Sequence, residues 1–249
     1  MKAYAKTDVG KKRTMNQDFL FCSTEAVGSF QNLFIVADGM GGHKAGDHAS
    51  KLCVEEVVKT IRDSEHKTPI TIYTQAVDTA NSRVYEEAEE YIEYEGMGTT
   101  FVSCTIDRGT MYAANIGDSR LYLLRGHIEQ ITEDHSLVYE LVKNGRITES
   151  EARFHPQKNI ITRALGTDEE VSADYYEKKL EVGDIVLLCS DGLSNMLDNE
   201  EMEYVLKHSK NIEAATETLV DKANKNGGED NISVIVIKIE NEDISDFEG

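Results

Sequence analysis

The segment "FIVADGMGGHKAGDHAS", Phe34 to Ser50, decides how the chain is read. Phe34, Ile35, Val36 and Ala37 form a short run of branched and aromatic side chains, which reads as a buried strand closed by glycine. Asp38 then falls at the strand's end. Asp-Gly is also a strong signal for a two-residue hairpin turn, which requires a second alternating strand after Gly39. None follows. Met40, Gly41, Gly42, His43 and Lys44 lead instead into a stretch where Ala49, Leu52, Cys53, Val57 and Ile61 recur at helical spacing. The pattern is strand, acidic glycine-rich loop, helix. It holds a carboxylate near buried structure while glycines let another group approach the backbone. On this stretch alone a plain turn stays open as the alternative.

Working outward, the 249 residues with 40% hydrophobic content suffice to bury a substantial core. With only two prolines, Pro69 and Pro156, and no linker-like stretch or repeat, one domain over residues 1–240 is expected. The last residues, 241–249, lose periodicity and read as an acidic tail. A formal net charge of −20 disfavours nucleic acid and anionic membrane as partners. The strongest basic cluster, "KKR" at Lys11 to Arg13, reads on its own as a solvated loop. Cys22, Cys53, Cys104 and Cys189 lie in apolar contexts without zinc-type spacing and read as buried thiols. With no signal-peptide core and no apolar stretch near the roughly twenty residues that span a bilayer, a cytoplasmic protein is expected.

Strands are expected near 2–8, 18–24, 31–38, 98–107, 110–116, 120–125, 173–179, 184–190 and 231–239. Helices are expected near 45–62, 70–93, 136–143, 199–208 and 212–225. The run "GTTFVSCTIDRGTMYAANIGDSRLYLLR" suggests long antiparallel hairpins, and the paired amphipathic helices need a sheet face to cover. The outcome is a layered α+β sandwich. Three more acidic residues share Asp38's placement at the edge of an apolar strand: Asp118 after "MYAANIG", Asp191 after "IVLLCS" and Asp230 just before "NISVIVIKI". Each has a plainer alternative: Asp118 as a hairpin-turn residue, Asp191 as a helix cap, Asp230 as the end of a loop. If the strand ends converge, four carboxylates meet, and such a cluster calls for cations. Oxygen-only donors suit Mg²⁺ or Mn²⁺ rather than zinc.

Eight segments, in order, carry a resemblance: "TDVGKKRTMNQD", "VADGMGGHKAGDHAS", "GTTF", "ANIGDSRLYLLR", "TEDHSLVYELVKNG", "ITRALG", "LLCSDGLSNML" and "EDNISVIVI". The chain resembles the bacterial metal-dependent protein serine/threonine phosphatases of type 2C, the PPM family, over nearly its whole length. The resemblance implies a four-layer α-β-β-α sandwich, two central antiparallel β-sheets flanked by pairs of helices. It implies that Asp38 bridges two Mn²⁺ or Mg²⁺ ions, that the Gly39 carbonyl binds one of them, and that Asp191 and Asp230 complete the other. Asp118 would match the ligand of a third, weaker ion, and Asp18 would act from behind through bound water. Arg13 would grip the substrate phosphate, a task for which its planar guanidinium suits better than lysine.

Two departures bear on the chemistry. Some animal members have a histidine two positions after the bridging aspartate as general acid; this chain has Met40, whose thioether carries no proton. His43 is a weak substitute, and metal-bound water is the better source of that proton. Gln17 stands where many members have glutamate. Residues 136–166 resemble the mobile flap beside the cleft of bacterial members, a place from which protein substrates can be selected; a rigid connector is the alternative.

The function implied is metal-dependent hydrolysis of phosphoserine and phosphothreonine in proteins, opposing a bacterial Ser/Thr protein kinase, by a monomer. The competing readings are a phosphatase of small phosphate esters and a noncatalytic metal-binding interaction module. An EF-hand calcium protein is poorly supported, since no twelve-residue loop with the required acid and glycine pattern is found.

Overall fold

A computed structural model of the chain describes residues 1–42 and 45–244; His43 and most of the expected acidic tail lie outside the described residues. In chain order the strands are β1 (Lys2–Asp8), β2 (Asp18–Ser23), β3 (Leu33–Met40), β4 (Gly98–Thr99), β5 (Phe101–Asp107), β6 (Thr110–Ile116), β7 (Arg120–Arg125), β8 (His127–Gln130), β9 (Asp174–Lys179), β10 (Ile185–Cys189) and β11 (Ile232–Lys238). The helices are α1 (Ala45–Asp63), α2 (Pro69–Glu90), α3 (Leu137–Lys143), α4 (Glu149–Arg153), the single turn α5 (Asp191–Ser194), α6 (Asn199–His208) and α7 (Ile212–Lys225).

Two antiparallel sheets result. One has the order β1-β11-β10-β7-β8; the other has β2-β3-β5-β6-β9, with β4 added to the end of β3. Residue parity sorts the side chains into layers, because successive strand residues point to opposite faces. On β3, Leu33, Ile35 and Ala37 pack with Val57 and Ile61 of α1 and Val77 of α2. Phe34 and Val36, of the other parity, pack with Leu188 of β10 and Ile235 of β11 between the sheets. On β11, Val234 and Val236 turn outward against Val205 of α6 and Leu219 of α7. Helix pair, sheet, sheet, helix pair is the four-layer sandwich expected. Each fully buried valine, leucine or isoleucine in these layers contributes roughly 1.5–3 kcal/mol.

Local chemistry sets the element ends. Pro69 opens α2, where its missing N–H costs nothing. The Asp198 side chain accepts the Glu201 N–H, and the Glu201 side chain returns the bond to Asp198 N, starting α6. At the β5–β6 turn, Arg108 and Gly109 both have positive φ, +46° and +70°, as a two-residue hairpin of the required hand demands.

Several expectations need correction. Asp38 lies inside β3, which runs two residues further because β4 pairs with Gly39 and Met40. The strand expected over 98–107 is broken at Thr100, whose N–H and hydroxyl both serve Asp38: Thr100 N donates to Asp38 O at 2.9 Å, and Thr100 Oγ1 accepts Asp38 N at 2.9 Å. The link Gly117–Ser119 is no hairpin, since β6 and β7 belong to different sheets. β8 was not anticipated. Cys22 is exposed, because β2 is an edge strand, whereas the other three cysteines are buried.

Candidate metal centre

The same parity that builds the core also builds the site. Asp38 shares the face of Phe34 and Val36, so it points between the sheets, and the β2–β3 register sets Asp18 directly opposite it. From the facing sheet come Ser190, after β10, and Ser233 in β11. Ser190 Oγ donates to Asp18 Oδ2 at 2.7 Å and accepts Ser233 N at 3.0 Å, which fixes its orientation. The inter-sheet layer is thus apolar along most of its length and polar at this end.

Asp118 stands where the chain crosses from one sheet to the other. Its neighbour Ser119 bonds Thr100 Oγ1 at 2.7 Å, which ties the crossing to Asp38. Asp191 opens α5, and its Oδ2 accepts Asn195 Nδ2 at 2.9 Å. Asp230 precedes β11; its Oδ1 accepts Asn231 N and its Oδ2 accepts Arg13 Nη2, both at 2.8 Å. Gly39 must be glycine: an added Cβ would lie 1.9 Å from Gly46 O. Gly39 N donates to Gln17 O at 3.0 Å, so the backbone of the Arg13 side of the site is hydrogen-bonded to the acidic loop.

The electrostatics show that these groups sense one another. Burial pushes the Asp38 carboxyl well above its ordinary range, and the charges of Asp18, Asp191, Asp118 and Asp230 push it further. Asp18 is pushed up to about 7, chiefly by burial, against the opposing serine hydrogen bonds. Asp191 is pushed up to about 6 by burial and then by Asp230, with a hydrogen bond to Asp38 and the charges of Arg120 and Arg13 opposing. Asp118 is raised well above its ordinary range by burial, then by Asp191 and Asp134, with Arg120 opposing. A group of acids that resist ionisation in one another's presence is a place where positive charge is wanted.

Among the described residues, however, no three carboxylate, imidazole or thiol groups close on one point as a ready-made cage. Coulombic coupling reaches over several ångströms, whereas ligation by oxygen needs about 2.0–2.6 Å. The acids therefore gather at one end of the inter-sheet layer as electrostatic neighbours. Their donor chemistry fits hard divalent ions: Asp18 Oδ1 and Asp191 Oδ1 are buried without a hydrogen-bond partner, and a cation or its water satisfies such atoms.

All the acidic residues singled out in the sequence thus gather here, with Gly39 among them and Arg13, itself exposed, on Asp230. Ser190, Ser233, Thr100, Ser119 and Asn231 were missed. Their only signal was position, each standing one to three residues from a singled-out aspartate in sequence or, for Thr100, one residue after β4. Met40 is half-buried beside Gly98.

The segment 136–166 leaves and returns beside these acids, next to Gly117 and Gly39. Leu137 N donates to Ile160 O at 2.9 Å and Thr162 N to His135 O at 2.8 Å, closing its base. Thr99 and Leu165 exchange both backbone hydrogen bonds, which seats the returning end on β4, next to Gly39. Below the base, Arg120 forms a bidentate pair with Asp134, Nε to Oδ1 and Nη2 to Oδ2, and His135 Nδ1 accepts Gly117 N at 3.0 Å. α3 and α4 have no buried residue, and Phe154 is 83% exposed.

Comparison with known proteins gives a consistent result. The family profile described as Protein phosphatase 2C matches residues 9–230. The serine/threonine phosphatase stp of Listeria monocytogenes is 38% identical over 252 aligned positions, covering 96% of each chain. The crystal structure of serine/threonine phosphatase Stp1 from Staphylococcus aureus superposes with a TM-score of 0.89 at 37% identity, covering 96% of this chain and 95% of that one. The catalytic domain of the serine/threonine protein phosphatase PstP, solved in complex with two manganese ions, superposes with a TM-score of 0.85 at 33% identity, covering 96% and 98%.

Proposed function

Because the chain belongs to the protein phosphatase 2C family, we propose that it hydrolyses phosphoserine and phosphothreonine in proteins at the cleft ringed by Asp18, Asp38, Asp118, Asp191 and Asp230. The observation that carries this reading is the gathering of these acids at one end of the inter-sheet layer, Asp18 opposite Asp38 in the β2–β3 register, beside a guanidinium, Arg13, held 2.8 Å from Asp230. Asp38 and the Gly39 carbonyl, with Asp191 and Asp230, would hold two Mn²⁺ or Mg²⁺ ions, and Asp118 a third. Bound there, the two ions supply an activated water and neutralise charge in an in-line displacement at phosphorus.

The chain's own groups have distinct tasks. Arg13 takes two phosphate oxygens with parallel N–H groups and so orients the ester for attack. Asp18, held by Ser190, which Ser233 N in turn orients, accepts hydrogen bonds from water in the cleft. Thr100 holds the Asp38 backbone on both sides and limits the carboxylate's drift when charge changes. Met40 has no proton to give the leaving oxygen, so water in the cleft delivers it. The segment 136–166, rooted on β4 and bearing the exposed Phe154, is a flap from which protein substrates are chosen. A Ser/Thr protein kinase with shared targets, in the cytoplasm, is the partner this activity implies. Among the described residues no helix is long and apolar enough to cross a membrane.

The test is phosphate release from a phosphothreonine peptide with Mn²⁺, with chelator, and with Asp230→Ala, alongside p-nitrophenyl phosphate. Manganese-dependent release abolished by the substitution, with a higher kcat/KM for the peptide, is expected. Folded protein that releases no phosphate at any metal concentration would refute the reading; a preference for the small ester would shift it to that substrate class.

A further inference from the structure

Arg13 sits on a segment without regular structure, residues 9–17, that carries the chain from β1 in one sheet to β2 in the other. A long exposed side chain on such a segment needs a fixed base if it is to meet phosphate at a set distance from the acids. That base is largely one side chain from the far end of the sequence. Asn231 Nδ2 donates to Val9 O and to Met15 O, both at 2.9 Å, and Asn231 Oδ1 accepts Gln17 N at 2.8 Å. Both amide protons and the amide oxygen of a side chain only 3% exposed are therefore used, and all of them on this segment. The Asn231 backbone N–H goes to Asp230 Oδ1 at 2.8 Å. Close packing supports the arrangement: a Cβ on Gly10 would lie 2.1 Å from Asp230 O, and Gly228 O receives the N–H groups of Lys11 and Lys12.

We infer that Asn231 is a positioning residue that fixes the Arg13 segment against Asp230, and so sets the distance between phosphate-gripping guanidinium and acidic cleft; this rests on the function proposed above. One residue thus faces both halves of the site, its main chain on the carboxylate and its side chain on the segment. Neither half can shift without the other. A residue that only supported the fold would have no reason to act through Arg13.

The experiment is a double-mutant cycle of Asn231→Ala and Arg13→Ala, read as KM and kcat for a phosphothreonine peptide with saturating Mn²⁺. Calorimetric Mn²⁺ affinity and amide exchange over residues 9–17 are measured on the same proteins. Asn231→Ala is expected to raise KM roughly 10- to 100-fold, as an ångström-scale misplacement does, and to add little once Arg13 is gone. Mn²⁺ affinity is expected to change far less than KM, and Gln17 to lose amide protection. Asn231→Asp, which keeps size and acceptor but loses both donors, gives the same cycle should the alanine variant not fold. Losses that multiply with those of Arg13→Ala, or a fall in Mn²⁺ affinity matching the rise in KM, would overturn the inference. A wild type without manganese-dependent release would instead overturn the proposed function beneath it.

Discussion

Replacing Asp18 with Asn tests the acidic cleft without touching a residue assigned to direct metal contact. Asp18 is 5% exposed and its carboxyl is raised from 3.8 to about 7. A raised carboxyl means that the metal-free folded protein keeps a proton which the unfolded chain has released, so stability is full below pH 3.8 and is lost as pH rises toward 7. At about 1.4 kcal/mol per tenfold change in proton affinity, this rise sets a ceiling of about 4 kcal/mol. For a chain of this length that ceiling corresponds to roughly 8–16 °C in Tm. Asn removes the charge, keeps the shape, and still offers an oxygen to the Ser190 hydroxyl. Thermal unfolding of protein freed of metal by dialysis, from pH 5 to pH 8, is the assay. The wild-type Tm should fall across this range, and Asp18→Asn should flatten the fall, gaining most at pH 8. Mn²⁺ should stabilise the wild type more at pH 8 than at pH 5.5, since cations need the ionised acids, and should stabilise the variant less. A wild-type Tm that rises from pH 5 to 7, or an identical slope in the variant, would refute the reasoning.

Arg13→Ala should raise KM for a phosphopeptide by about tenfold or more while calorimetric Mn²⁺ affinity holds or improves, because the substitution frees Asp230 Oδ2. Gly39→Ala should be destabilised by more than about 3 kcal/mol in denaturant unfolding, since its Cβ would collide with backbone at Gly46 O rather than with a side chain that can move. Thr100→Val, nearly isosteric, should cost about 1–3 kcal/mol by stranding the Asp38 N–H, and should lower kcat at saturating Mn²⁺. Amide exchange should be faster over α3 and α4 than over α1 and α2, whose buried faces are extensive; equal protection would favour a rigid connector over a flap.

Much of this fold was legible because burial writes itself into strands as apolar runs and into helices as spaced ones. "FIVA", "IVLLC" and "ISVIVI" are buried on both faces, so each could be placed centrally from composition alone. Where the sequence misled, the missing information was not local. "GTTFVSCTID" is uniformly suited to a strand, and it breaks at Thr100, which donates its N–H to Asp38 O and accepts Asp38 N on its hydroxyl. Cys22 sits in as apolar a context as Cys104, but β2 has a neighbour on one side only.

The site follows the same division. Asp38, Asp191 and Asp230 could be found because a carboxylate beside a buried apolar run is unusual enough to ask for a reason. Asn231 could not, since its partners Val9, Met15 and Gln17 lie more than two hundred residues earlier and an asparagine before a strand is ordinary. Asp118 is the instructive intermediate. "GDSR" between two strands reads as a hairpin turn, and the residues that make a tight turn are also those that let a chain leave one sheet for the other. What separates the cases is the strands beside β7, which are β10 and β8 and not β6. A hairpin would keep Asp118 at the edge of one sheet; the crossing sets it where the two sheets face each other, and that is why its charge is felt by Asp38.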